Sequence, residues 1–168
     1  MKVIIFSEIL FWGKGRAIGH GGGEDTQRLV PTKVTGGGIG EAAVVQVAAG
    51  EHHSMALTAA GELYAWGEGG KGQLGHGGKE NLAVPRVVSG IEGAVMGIAG
   101  GEHHSLVTTV EGRVLAFGGK GPFGSGGSGR LGLGAGVEEA LTPTAIDGIT
   151  MGEGDEGKEE KEGKEGKE

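Results

Sequence analysis

Residues 47–67 read VAAGEHHSMALTAAGELYAWG, and residues 98–118 read IAGGEHHSLVTTVEGRVLAFG. The two stretches align without a gap. His53 falls on His104, a period of 51 residues, and Gly50, Glu51, His52, Ser54, Gly61 and Gly67 all meet identical residues. Self-similarity at a period near ~50 residues is the mark of propellers and solenoids, whose units stack to bury a shared core.

Working outward, Trp12-Gly13 takes the place of Trp66-Gly67, with Glu8 on Glu62 and Ile9 on Leu63. GHGG at 19–22 matches GHGG at 75–78, Pro31 falls on Pro85, and Pro143 follows in the third copy. The chain therefore enters in the middle of a repeat, and the counterpart of Val47–Thr58 is expected to be lacking. Within a full unit, Val44–Ala48, Ser54–Thr58 and Glu62–Trp66 read as strands. Gly61 closes the turn between the last two, where a positive φ suits glycine. Leu63 and Ala65 alternate with Tyr64 and Trp66, and both faces are apolar, as in strands covered on two sides.

The opening Lys2 and VIIFSEILFW has a superficial likeness to a signal peptide. Glu8 interrupts the apolar run, no small-residue cleavage site follows, and the repeat accounts for the segment as strand. No stretch approaches the ~20 apolar residues of a membrane span. With 41 glycines in 168 residues, scattered placement would mean disorder, but here the glycines recur in register and mark turns. Aromatic residues make up only 4%, so any core rests on small aliphatic side chains. The absence of cysteine excludes disulfide, thiolate-zinc and iron–sulfur sites. A net charge of −7 argues against nucleic-acid binding driven by counterion release.

Two glycine-rich stretches read as linkers: TGGGIG at 35–40, expected to be flexible, and 118–136, with ten glycines among nineteen residues. Residues 152–168 hold four Lys against eight Asp and Glu and no apolar residue. Such a tail cannot offset its ordering entropy and is expected to be disordered.

VAAGEHHSMAL, followed by LYAWG and GQLGHG, resembles the regulator of chromosome condensation repeat family. Residues 44–88 fit its pattern almost throughout, and 95–146 fit with departures: Thr108 for an aliphatic, Phe117 for Trp, GRLGLG for GQLGHG. Residues 7–34 carry only the second half of a repeat. The resemblance implies four-stranded blades of a seven-bladed β-propeller. Removing the tail leaves about three units, fewer than the roughly 4–8 blades of a closed ring. The expected fold is thus all-β, an open arc of about three blades that self-associates or forms part of a longer chain.

Paired histidines suggest a metal site, but adjacent strand residues point to opposite faces. In the family, His53 and His104 are buried structural histidines bonded to backbone across the blade, and no metal is expected. Trp12, Trp66, Phe117, Gly50 and Gly101 are assigned structural roles with them. His20 and His76, in equivalent loops, read as solvated turn residues. The run from Gly67 to Gly72 matches the dinucleotide fingerprint, but no helix pattern follows it. TGGGIG before EAAVVQVAA is likewise claimed by the repeat as the approach to a strand. No cofactor and no catalytic residue are expected.

The candidate binding residues are Glu51 and His52 with their copies Glu102 and His103, which in the family lie in a loop on a partner-facing rim. The chromophore branch of the family often has Trp at the first of these positions, where this chain has Glu. The expected role is a protein–protein interaction module, neither a nucleic-acid nor a membrane binder. Its expected setting is intracellular, cytoplasm or nucleus. The alternative is guanine nucleotide exchange on a small GTPase of the Ran type.

Overall fold

The computed structural model describes residues 2–5, 9–23, 25–119 and 129–150. The expected disordered tail lies outside these residues, as do residues 120–128 of the second glycine-rich stretch.

Three antiparallel sheets follow one another along the chain. The first holds β1 (Lys2–Ile5), β2 (Ile9–Lys14) and β3 (Gln27–Lys33). The second holds β4 (Val44–Ala49), β5 (His53–Thr58), β6 (Leu63–Gly67) and β7 (Leu82–Val87). The third holds β8 (Val95–Gly100), β9 (His104–Thr109), β10 (Arg113–Gly119) and β11 (Glu139–Thr150). Each sheet runs in simple chain order, so each is one up-and-down blade. Expected strand positions hold to within one residue at either end.

The middle blade shows why its sequence is apolar on both faces. Every residue of β5 and β6 is buried. Successive side chains of a strand point to opposite faces. Met55, Leu57, Leu63 and Ala65 accordingly pack with Ile98, Val107, Leu115 and Phe117 of the third blade. Ala56, Tyr64 and Trp66 turn the other way, onto Ile9, Phe11 and Ile18 of the first. Gly61 (φ +80) and its copy Gly112 (φ +77) close the β5–β6 and β9–β10 turns in the left-handed conformation expected of them.

Two expectations need correction. Residues 2–5, KVII, form a strand whose register, Lys2 opposite Trp12, repeats that of Ser54 opposite Trp66. The first blade therefore has three strands and includes the second-strand position. Its β-branched run carries strand propensity without the Gly-x-x-His signature by which such strands announce themselves elsewhere. The TGGGIG stretch is no slack linker. Gly36–Glu41 forms short 3-10 turns in which Gly37 (φ +68) lies so close to the Pro85 backbone that no side chain fits, and Ile39 enters the core. Its glycines serve close approach and positive φ.

The arc is open. Trp66 and His53 have 0% exposure, sealed against neighbouring blades, whereas the equivalents Trp12 and His104 on the outer faces of the first and third blades are only partly buried. Among the described residues no helix is long and apolar enough to cross a membrane.

Candidate functional site

The candidate rim is built from the Gly-x-x-His corners. Gly50 N–H donates to His53 O at 2.9 Å and Gly101 N–H to His104 O at 2.8 Å, making two identical tight corners. Glycine is required at both, because a Cβ would run into the imidazole of His53 or His104. The far side of each corner is held by the end of the third strand. Glu68 N–H donates to His52 O at 2.8 Å and Gly119 N–H to His103 O at 3.0 Å. Gly67 and Gly118, both at φ +111, bring the strand end close enough for this.

Residues 51–52 and 102–103 thus sit at the apex of tied corners in neighbouring blades. Glu51 and Glu102 are exposed, and each faces the next histidine: His52 Nε2 lies 3.3 Å from Glu51 Oε1, and His103 Nε2 lies 3.5 Å from Glu102 Oε1. Arg130 reaches Glu102 Oε2 at 3.6 Å. The structure brings three of the four candidates together, since Glu51, Glu102 and His103 present ligand-type atoms within 4.8 Å of one another. Arg130 supplies a positive charge beside this group. The arrangement is a charged surface.

Beneath the rim, His53 Nε2 lies 2.9 Å from Ser105 Oγ, and Ser105 Oγ–H donates to Gln73 O at 2.8 Å. With the hydroxyl hydrogen used, the imidazole must be the donor, so Nε2 carries the hydrogen and buried Nδ1 is a bare lone pair without a partner among the described residues. The expected backbone partner is therefore replaced by a serine hydroxyl of the next blade. A serine and histidine at this distance resemble a nucleophile and its base. Here the proton runs the wrong way and both groups are fully buried. Burial, reinforced by the neighbouring His104, His103 and His52, lowers the His53 pKa from 6.5 to about 4.

The seam repeats. Ser54 Oγ–H donates to Ala17 O at 2.8 Å, as its copy Ser105 does to Gln73 O, and Trp66 Nε1–H adds a second bond to Ala17 O at 2.9 Å. Trp66 also meets Phe11 edge-on at 5.3 Å between centroids. Phe117 fills the same place in the next blade without a donor. Trp66 and Phe117 are thus buried at the seams and Gly50 and Gly101 shape the corners, while Trp12 is only partly buried.

Three features escaped sequence reasoning. Gln46 clamps the Ile98 backbone, Nε2–H donating to Ile98 O at 3.1 Å and Oε1 accepting from Ile98 N–H at 3.3 Å. His20 and His76 are partly buried ties rather than solvated turn residues. Their Nε2 atoms lie 3.3 Å from Phe11 O and Ala65 O, equivalent third-strand carbonyls, and burial lowers the His76 pKa. The repeated GHGG was the available signal. Glu68, whose N–H holds the first corner, gave no signal in the sequence either.

The family model of the regulator of chromosome condensation (RCC1) repeat matches residues 8–57 and 60–108. The chain belongs to the RCC1 repeat family. Both matches run from the third strand of one blade to the second strand of the next, so each RCC1 unit spans a blade seam. Among curated relatives, human E3 ubiquitin-protein ligase HERC2 is 38% identical over 148 residues, 83% of this chain and 3% of the relative. The ultraviolet-B receptor UVR8 of Arabidopsis thaliana is 35% identical over 139 residues, 80% of this chain and 29% of the relative. The crystal structure of Prp20p from Saccharomyces cerevisiae superposes with a TM-score of 0.68 at 24% identity, covering 83% of this chain and 34% of that one. The chain thus spans less than a third of either curated relative.

Proposed function

We propose that this chain is a non-catalytic protein-binding module and that the partner docks on the rim formed by Glu51, His52, Glu102 and His103. The observation that carries this reading is the pair of identical acidic corners, each tied from below by the same two backbone hydrogen bonds. Polar side chains on loops held by a rigid scaffold are the usual makings of a recognition surface. Members of one repeat family with different activities share the surface rather than a chemistry, and the partner is expected in the cytoplasm or nucleus.

Photo-cross-linking tests this. Benzoylphenylalanine at position 52 or 103 should capture the partner, identified by mass spectrometry, whereas the same group at Leu29, 80% exposed on β3, should not. Capture from Leu29 alone would overturn the proposal.

Nucleotide exchange is the second reading, favoured by the likeness to Prp20p, which has been studied for its binding to Gsp1p and histones. A Ran-type GTPase loaded with a fluorescent nucleotide separates the two. The binding-module reading expects release at the intrinsic rate in the presence of this chain.

A further inference from the structure

Where the first and second blades meet at the rim, a cavity of ≈ 340 Å³ opens between walls of opposite charge. Lys14, Arg16 and Ala17 line it from the first blade, and Glu51, His52 and Glu68 from the second. The repeat does not make this slot automatically. At the junction of the second and third blades the place of Glu68 is taken by Gly119. A Cβ there would stand 3.1 Å from Lys71 O, so the backbones already close the gap.

The charges are unequally satisfied. Lys14 pairs with Asp25 at 3.3 Å, and Arg16 has an interaction of its own. Among the described residues Glu51 pairs with His52, an ion pair solely when that imidazole is protonated, and Glu102 and His103 lie close by. The Glu68 carboxylate makes no hydrogen bond or ion pair among the described residues, although the residue is partly buried and its N–H is anchored on His52 O. A partly desolvated carboxylate with no partner gains most from a charge-assisted hydrogen bond. Two carboxylates on one wall suit a planar guanidinium better than a compact ammonium.

We infer that this slot receives an arginine side chain of the protein partner, its guanidinium held by Glu51 and Glu68. The basic wall disfavours a run of cations and suits an acidic residue beside that arginine. This rests on the rim being the partner-facing surface and names what the rim recognises.

The probe is the peptide acetyl-Gly-Glu-Gly-Arg-Gly-amide, titrated against the ¹⁵N-labelled chain at low salt and followed by NMR. Saturable shifts should concentrate on the amides of residues 14–17, 51, 52 and 68. Glu68→Gln should weaken binding at least threefold with an unchanged melting temperature, and the citrulline version of the peptide should not bind. Equal binding of the citrulline peptide, an unaffected Glu68→Gln variant, shifts centred elsewhere, or no shifts would each overturn the inference. Glu102 lies outside the slot and separates this from the wider reading. If Glu102→Lys slows partner association and Glu68→Gln does not, the slot fails and the rim stands. The reverse pattern supports the slot and removes the rest of the rim.

Discussion

Trp66→Ala should lower the free energy of unfolding by about 3–5 kcal/mol, out of the ~5–15 kcal/mol that a domain of this size possesses. Trp66 has 0% exposure, meets Phe11 across the seam and donates to Ala17 O. Truncation leaves a cavity between two blades and strips that carbonyl of one of its two donors. The indole is also gripped from outside, because a Cβ on Gly19 (φ +74) would lie 2.8 Å from Trp66 Nε1. The first blade thus closes over the ring too tightly to collapse into the space. Denaturant unfolding measures the loss, and a change below about 1 kcal/mol would show that the seam does not depend on this residue. Trp12→Ala, at an outer face, should cost markedly less.

Acid should destabilise the fold through His53. In the folded state the imidazole resists protonation until about pH 4, while the unfolded chain takes the proton near 6.5. Because the folded pKa is the lower one, the unfolded state binds more protons in this window. The stability due to the neutral ring is present above 6.5 and is lost as pH falls toward 4, amounting to about 3 kcal/mol at ~1.36 kcal/mol per pH unit. Protonation would also place a charge in a fully buried site. His104 and His76 are shifted in the same direction, chiefly by burial, and add to the slope. Urea midpoints at pH 7 and pH 4.5 should differ strongly in the wild type and distinctly less in His53→Gln. Equal slopes in the two proteins would contradict the assignment.

The fold was legible because its information is periodic. A strand buried on both faces writes itself as LYAWG, and a left-handed turn writes itself as Gly61 and Gly112. What stayed hidden depends on which repeat sits beside which. The His53–Ser105 bond joins residues of different copies, and nothing in HHS shows that its histidine and serine serve opposite seams. Gln46 is a single polar residue at a position where the next copy has Gly97, so the repeat offers no second example to read. The TGGGIG stretch misled because glycine serves flexibility and close packing alike, and only the neighbouring Pro85 backbone decides between them. Of the candidate rim, the four residues were placed by resemblance, while the slot beside them arises from a difference between copies, Glu68 against Gly119.

The central claim is that partner recognition resides in the acidic corners of neighbouring blades. The most direct test is the association rate of the cross-linked partner with the double variant Glu51→Lys, Glu102→Lys, measured across a salt series. Exposed charges act mainly on encounter, so the account predicts association several-fold slower at low salt, a gap that narrows as salt is added, and an unchanged melting temperature. Association as fast as that of the wild type at low salt would contradict it and leave these residues as ordinary solvated loop positions.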